Sequence, residues 1–369
     1  MTRAEHVGSL LRSPELLAAR AEFPKDSPGL REAEDRAALA NIALQRDAGV
    51  GVYTDGEVRR GSWMASLRES LGGMVATTHL TGGQTAPWHR ADGDPPPEET
   101  SVESVAAAQK VYRKDARTLT EAGFLSEHAP GPFKITMISA SMGATVWHPA
   151  VSKDAYPSPA YLIADLIDLQ VDEASELIDA GTHWIQLDSL GYTRAMDDKF
   201  RASAGEGASD PAFLLDRTLT ADKAIVAGIR RANPYVTIGV HICRGNNRSA
   251  WMLKGSYEPV AERLFNELAV DRFLLEFDTE RAGSFSPLRH VPRGRVVTLG
   301  LISSKVPELE SLDYLKRRVE DAAKYVDPEY LAISPQCGFA STAPGNLLTM
   351  DEQKRKLELV ATAARAIWG

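Results

Sequence analysis

The sequence of 369 residues contains only two cysteines, Cys243 and Cys337, which are too few for a disulfide scaffold. No apolar run approaches the roughly 20 residues that cross a bilayer, and the first residues lack the long apolar core of a signal peptide. Basic residues are fewer than acidic ones, since the sequence has 42 lysines and arginines but 50 aspartates and glutamates, which gives a net charge of −8. That balance argues against a surface for nucleic acid or anionic membrane. These absences predict a soluble globular protein of the cytoplasm.

Short apolar and β-branched runs predict strands that are buried on both faces. Seven of them lie at 51–54, 133–138, 184–187, 236–241, 273–277, 296–302 and 331–334, with a weaker eighth at 6–10. Helical patterns separate them; one begins at Ser158-Pro159, and the last begins with a capping box of Thr349 and Glu352. The alternation predicts one domain over 1–369, an α/β fold of the (β/α)8 TIM-barrel type. A doubly wound sheet is less favoured, since no Gly-rich phosphate loop follows the first strand.

Two segments exceed what a minimal barrel needs. Residues 74–100 are rich in glycine, proline and charge, and residues 192–212 are polar and rich in glycine and alanine. Both follow predicted strands, so we expect extended βα loops that form lids or substrate loops at the active-site face. Surface decoration is the alternative.

The strongest chemical signal is the spacing of His241 and Cys243, which places both side chains on the same side of a predicted strand. Glu276 and Cys337, near the ends of two further strands, would complete a set of one nitrogen, two sulfurs and one oxygen suited to Zn²⁺. The alternative is two ordinary buried thiols beside a core histidine. A zinc ion with two thiolate ligands generates hydroxide poorly but can hold an incoming thiol as its thiolate. The set therefore favours alkyl transfer to sulfur over hydrolysis.

Short motifs along the chain resemble a known family. The catalytic half of cobalamin-independent methionine synthase is similar to this chain at IQLD (185–188), HIC (241–243), LLEF (274–277) and SPQCG (334–338). Its substrate-binding segments are similar at HVGS (6–9) and TDGE (54–57). The matches keep the family's order, and the length suits the short single-barrel relatives, which include epoxyalkane:coenzyme M transferase.

The resemblance implies a zinc centre and a pocket for homocysteine. The implied zinc ligands are His241, Cys243, Glu276 and Cys337. Ser9 would contact the carboxylate of homocysteine, and Glu57 and Asp188 its ammonium group, which carboxylates suit. Asp188 would thereby join His241 and the two cysteines as a catalytic residue. The alternatives are a turn or helix cap for Ser9 and structural salt bridges for the two acids.

The chain departs from the family at Ile302, where the synthase has a histidine thought to protonate the leaving folate nitrogen. Methyltetrahydrofolate has a poor amine leaving group, so this departure weighs against folate as the donor. His89, His148 or Tyr192 on other loops could supply the proton. A methylated corrinoid, a small methyl compound or an epoxide would make different demands at this position.

The favoured interpretation is an enzyme of methionine biosynthesis, similar to 5-methyltetrahydropteroyltriglutamate–homocysteine methyltransferase, that uses Zn²⁺ to methylate homocysteine. Its partners would be a small thiol and a methyl or alkyl donor, with a homo-oligomer possible. One alternative is ring opening of an epoxide by coenzyme M, whose sulfonate would need arginine. The candidate arginines for that sulfonate are Arg12, Arg59, Arg60 and Arg244. Another alternative is a non-catalytic zinc-binding or thiol-binding protein.

Overall fold

The computed structural model describes residues 2–77, 88–91, 93, 104–203 and 210–369. Its helices are α1 (Pro14–Glu22), α2 (Pro28–Ala48), α3 (Ala65–Arg68), α4 (Arg117–His128), α5 (Pro149–Ser152), α6 (Pro159–Asp179), α7 (Gly191–Met196), α8 (Asp198–Ser203), α9 (Pro211–Ala232), α10 (Glu258–Glu267), α11 (Leu312–Ala322) and α12 (Met350–Trp368). Its strands are β1 (Leu71–Ala76), β2 (Val105–Arg113), β3 (Ile135–Ile138), β4 (Trp184–Asp188), β5 (Thr237–Ile242), β6 (Arg272–Glu276), β7 (Val296–Ile302) and β8 (Leu331–Pro335).

Strands β3 to β8 form one parallel sheet in chain order, with α-helices between successive strands except β6 and β7, which two short 3-10 helices connect. These strands confirm six of the runs predicted from sequence. In this α/β fold nearly every sheet residue is buried, which explains why the runs do not alternate between apolar and polar residues. Because neighbours are parallel, the carboxyl ends of all six strands face the same edge, and Asp188 of β4 lies in register with His241 of β5.

The predicted strand at 6–10 is wrong, and the one at 51–54 contributes only a single bridge. The bridges of this region join Ala4 to Ile333 and Tyr53 to Phe133, both parallel. Residues 6–10 are all buried, which is what the apolar pattern detects, but their backbone is not paired as a strand. Burial without pairing therefore explains the misprediction.

The two predicted insertions are only partly described. The sequence did not predict strands β1 and β2, which form an antiparallel pair flanking the first insertion. Within 74–100, residues 78–87, 92 and 94–100 lie outside the described residues. Within 192–212, helices α7 and α8 and the start of α9 replace an irregular loop, and residues 204–209 lie outside the described part.

A network of buried charged side chains lies in the interior of the fold. Glu5 accepts hydrogen bonds from Lys134 Nζ at 2.9 Å and from Arg272 Nη1 at 2.9 Å. Lys134 also donates to Gln186 Oε1 at 2.7 Å. Since buried charges are tolerated when paired and hydrogen-bonded, this network satisfies polar side chains in the interior.

Among the described helices, none is both long and apolar enough to cross a membrane.

Candidate metal centre and substrate cavity

Three potential metal ligands meet at the carboxyl edge of the sheet. His241 lies in β5, Cys243 follows that strand, and Cys337 follows β8. The ligating atoms of these three buried side chains all lie within 4.8 Å of one another. Both cysteines are free thiols. Strands β5 and β8 are three positions apart, roughly 14 Å in a flat sheet, so curvature of the sheet is needed to bring Cys337 close to His241 and Cys243.

The imidazole of His241 is held with one nitrogen available. Its Nδ1 lies 3.3 Å from the carbonyl oxygen of Leu274, a contact that suits an Nδ1–H donor. Its Nε2 is buried and has no hydrogen-bond partner among the described residues. A histidine that ligates a metal through one nitrogen usually donates the other N–H to such a carbonyl. An orphaned imidazole nitrogen beside two thiols therefore fits a soft metal ion such as Zn²⁺.

The two thiols differ in acidity. The hydrogen bond from Cys243, with the nearby charges of His241 and Lys305, holds the pKa of the Cys337 thiol well below its usual value despite burial. The same hydrogen bond, together with burial, raises the pKa of Cys243. The pair therefore favours one thiolate at Cys337 in the metal-free protein, and a metal ion is needed to make both thiolates.

Glu276, the fourth predicted ligand, ends β6 next to this cluster but is not part of it. Its Oε1 accepts a hydrogen bond from Arg281 Nε at 2.8 Å, and its Oε2 accepts one from the backbone N–H of Arg244 at 3.0 Å. Burial raises the pKa of Glu276, but the charges of Arg281 and Arg244 outweigh burial and lower it overall. The carboxylate is therefore ionised and held by a competing cation.

A cavity of about 230 Å³ connects the cluster to the residues predicted to hold the substrate. Ser9, Glu57 and Asp188 all line it, as do the three metal-ligand candidates. Its remaining wall is largely apolar, with Met142, Leu190 and Met252 among the lining side chains. A compact pocket with a few convergent polar groups is typical of a small-molecule site.

Two close approaches that only glycine permits fix the polar end of the cavity. A Cβ on Gly8 would lie 2.5 Å from Glu57 Oε1, and a Cβ on Gly338 would lie 2.0 Å from Ser9 Oγ. Glu57 itself has a φ of 56°, a left-handed conformation that is strained for this residue type. Thr136 Oγ1 donates to Glu57 Oε1 at 2.9 Å. The backbone therefore fixes the directions of Ser9 and Glu57.

The buried network that contains Lys134 and Gln186 orients the side chain of Asp188. Its Oδ1 accepts a hydrogen bond from Gln186 Nε2 at 2.8 Å, and Gln186 in turn accepts from Lys134. Burial, opposed in part by the charge of His241, raises the pKa of Asp188 to about 6. The carboxylate is thus largely ionised at neutral pH and available to a cationic group.

The four arginines considered for a sulfonate are all engaged in other contacts. None of them lines the cavity enclosed by the described residues. The partners of Arg12, Arg59, Arg60 and Arg244 include, respectively, the Ala340 carbonyl, Asp35, Glu121 and the Gly255 carbonyl. These four arginines therefore offer no sulfonate site on the described wall of the cavity.

The candidate proton donors also lie away from the cavity in the described part of the chain. His148 caps α5, where its Nδ1 accepts from the Ala150 N–H at 3.2 Å. His89 stacks on the Trp251 ring at 4.5 Å between centroids, and Tyr192 is completely buried. Ile302, at the position expected for an acid, is buried in β7. None of these side chains lines the described cavity.

Sequence reasoning missed two arginines that do line the cavity, Arg68 of α3 and Arg194 of α7. Both follow predicted strands and acidic site residues, but nothing in their spacing distinguished them from the chain's other arginines. The one available signal was position, since Arg194 lies six residues after Asp188.

The chain is similar to known proteins over nearly its whole length. The family model described as "Cobalamin-independent synthase, Catalytic domain" matches residues 2–365. An uncharacterized Bacillus subtilis protein, YxjH, is 34% identical over 99% of this chain and 94% of its own length. A methionine synthase of Pyrococcus abyssi is 22% identical, over 84% of this chain and 77% of its own. A Listeria monocytogenes structure, described as a candidate vitamin-B12-independent methionine synthase, superposes with a TM-score of 0.72 at 28% identity, covering 100% of this chain and 98% of that one.

Proposed function

We propose that this chain, which belongs to the family of cobalamin-independent synthase catalytic domains, is a zinc-dependent methyltransferase that acts on the thiol of homocysteine. The family is one of methionine-synthase-type methyltransferases, which supports an enzyme rather than a non-catalytic zinc-binding protein. The residues that converge on the cavity support homocysteine as the acceptor thiol and zinc as the metal ion.

The observation that carries the proposal is the orphaned Nε2 of His241 beside two buried thiols, at one end of a cavity that also contains two carboxylates. His241, Cys243 and Cys337 would hold the zinc ion, with Glu276 as the fourth ligand once it leaves Arg281. Bound zinc supplies a Lewis acid that keeps a thiol ionised at neutral pH. Two sulfur ligands make that ion better suited to thiol activation than to hydrolysis.

The other cavity residues bind and orient homocysteine. Glu57 and Asp188 would pair with its ammonium group, and Ser9 would donate to its carboxylate. The apolar wall excludes water from the sulfur, which strengthens these charged contacts. The sulfur then forms a bond to the methyl carbon while the bond between that carbon and the donor breaks and leaves its electron pair on the donor.

The proposal includes one catalytic domain over 1–369 with a closed (β/α)8-type barrel, in which the backbone around Ala4 and Tyr53 takes the places of the first two strands. Backbone hydrogen bonds support closure beyond the six-stranded sheet, from Glu5 N to the Ile333 carbonyl at 3.0 Å and from Gly51 N to the Ala4 carbonyl at 2.9 Å. We also infer a reducing compartment such as the cytoplasm, since both cysteines must remain free to bind metal.

Zinc-edge X-ray absorption on the purified protein tests the function, alone and with homocysteine or coenzyme M. We expect two sulfur ligands at about 2.3 Å in the resting protein, and a third when homocysteine is added. A third sulfur with coenzyme M but not with homocysteine would overturn the acceptor assignment. Absence of zinc, or no added sulfur from either thiol, would overturn the proposed function.

A further inference from the structure

We propose that Arg68 and Arg194 form an anion-binding subsite that holds a carboxylate or phosphate-type group of the methyl donor. The inference rests on the proposed function, because it assigns the second substrate of the same cavity. It adds the chemical class of the donor, which the metal cluster and the amino-acid residues leave open.

Both guanidinium groups line the cavity and have unsatisfied donors. The Nε atoms of Arg68 and Arg194 are buried without a hydrogen-bond partner among the described residues. Arg194 stacks over the Phe200 ring, with its guanidinium carbon 5.0 Å from the ring centroid. That contact holds the plane of the guanidinium, and its Nε–H has no acceptor among the described residues. Burying a hydrogen-bond donor without an acceptor costs free energy, so such a group commonly binds water or a ligand.

The charges around these arginines also favour an anion. The acid nearest Arg68 is Glu69, which accepts a hydrogen bond from Arg117 at 2.7 Å. Burial and the neighbouring charge of Arg217 lower the pKa of Arg194 to about 10, so it stays protonated at neutral pH. Arg68 and Arg194 therefore place two positive charges on the wall of the cavity, which Glu57 and Asp188 also line.

The acceptor thiol does not need these arginines. Glu57 and Asp188 account for its ammonium group, and Ser9 accounts for its carboxylate. A guanidinium donates paired hydrogen bonds to the oxygens of a carboxylate or phosphate. It is therefore suited to fix the orientation of a second substrate. The apolar side chains Met142, Leu190 and Met252 line the same cavity and suit the uncharged part of that molecule.

The cavity also limits the size of the donor. Its volume of about 230 Å³ lies below the ~300–1,000 Å³ of pockets for drug-sized ligands. Within the described residues it therefore suits a compact donor. The anionic group anchors one end of this molecule, so that its methyl carbon lies towards the sulfur.

Isothermal titration calorimetry on the zinc-loaded, homocysteine-saturated protein tests the subsite with three probes: glutarate, inorganic phosphate and the neutral glutaramide. We expect glutarate or phosphate to bind and glutaramide not to bind. Arg68→Gln and Arg194→Gln should each weaken anion binding at least 10-fold, whereas Arg68→Lys should retain most of it. Arg318→Gln is the matched control, because Arg318 also has an unpaired buried Nε but does not line the cavity, and it should change anion binding less than twofold.

Homocysteine affinity, measured on the same variants, separates the two substrates. It should stay within threefold of the wild-type value, whereas a 10-fold loss in Arg68→Gln or Arg194→Gln would assign the arginines to the acceptor and overturn the proposal. Equal anion binding by wild type and both variants, or none by wild type, would also overturn it. Arginine-dependent anion binding by a protein that binds no homocysteine would refute the proposed function and leave the anion subsite standing.

Discussion

Arg281 holds Glu276 through a hydrogen bond of 2.8 Å from Nε to Oε1, at the end of β6 beside the metal cluster. The same guanidinium donates from Nη2 to Asp278 Oδ1 at 2.8 Å. In the proposed metal centre, zinc and Arg281 would therefore be alternative partners for the buried carboxylate of Glu276. A metal ion that recruits Glu276 must compete with this cation.

Removal of the competing cation should tighten zinc binding. We expect Arg281→Gln to lower the dissociation constant for zinc about 10-fold, since a hydrogen bond to a charged group contributes roughly 1.5–3 kcal/mol. A competition titration with a chromophoric chelator measures the constant. Arg289→Gln, which removes the exposed partner of Glu258, is the control and should leave it unchanged. Weaker zinc binding in Arg281→Gln would instead mean that Arg281 holds Glu276 in place as a ligand.

Loss of one cysteine should abolish the metal centre. We expect Cys337→Ala to retain less than about a tenth of the wild-type zinc and to lose methyl transfer, because three ligands including Glu276 would remain for an ion that prefers four. Elemental analysis after dialysis against a weak chelator measures the zinc. Circular dichroism would verify that the variant is folded. Full zinc content and turnover in this variant would contradict the ligand assignment.

Asp188 should matter for the acceptor but not for the metal. We expect Asp188→Asn to keep its zinc and to bind homocysteine about 10-fold more weakly, since a neutral amide cannot compensate the ammonium charge. Calorimetric titration with homocysteine measures the affinity. 4-Mercaptobutyrate, which is homocysteine without the ammonium group, should bind the variant and the wild type about equally. Loss of zinc in this variant would show that Asp188 supports the metal centre instead.

Gly8 should set the position of Glu57. In Gly8→Ala the new methyl group would lie 2.5 Å from Glu57 Oε1 and 2.9 Å from Thr136 Cγ2. We expect a loss of ~1–3 kcal/mol in the free energy of unfolding and at least 10-fold weaker homocysteine binding, with zinc retained. Gly123→Ala is the matched control, because nothing lies within 4 Å of its added Cβ in helix α4 and alanine favours helix. Normal homocysteine binding by Gly8→Ala would argue against a role for Glu57.

Asp55 should make stability depend on pH. Burial, followed by the charge of Glu121, raises the pKa of Asp55 to about 7. The folded protein therefore holds a proton that the unfolded chain releases near pH 4. Asp55 thus contributes ~4 kcal/mol to the free energy of unfolding at low pH, and this contribution is lost as the pH rises from about 4 to about 7.

Asp55→Asn should remove this dependence, because an amide does not titrate. Urea unfolding should therefore find the variant more stable than wild type at pH 8, with the advantage lost near pH 4. The exposed Asp47, changed to Asn, provides the control and should follow the wild-type pH dependence. Parallel pH profiles for Asp55→Asn and wild type would contradict the raised pKa.

The sequence by itself determined the parallel strands and the principal ligands. A strand buried on both faces needs a continuous apolar run, which is a local signal, and six such runs became β3 to β8. The His241-Ile-Cys243 spacing and the position of Cys337 after the last strand then sufficed to predict that three ligand atoms would converge. Their convergence also requires the sheet to curve, because β5 and β8 are three positions apart in it. That curvature belongs to the barrel that the alternation of strands and helices predicts.

Only the tertiary structure decided which charged side chains face the cavity. Arg12, Arg60 and Arg244 turn to internal acceptors, whereas Arg68 and Arg194 line the cavity, and sequence spacing distinguishes none of them. Likewise, residues 6–10 are buried without forming a strand, and Arg281 holds Glu276 away from the other ligands. The pattern of apolar residues that predicts a strand can be recognised from neighbouring positions in the sequence. The partner of a long charged side chain, in contrast, depends on residues that are far away in sequence.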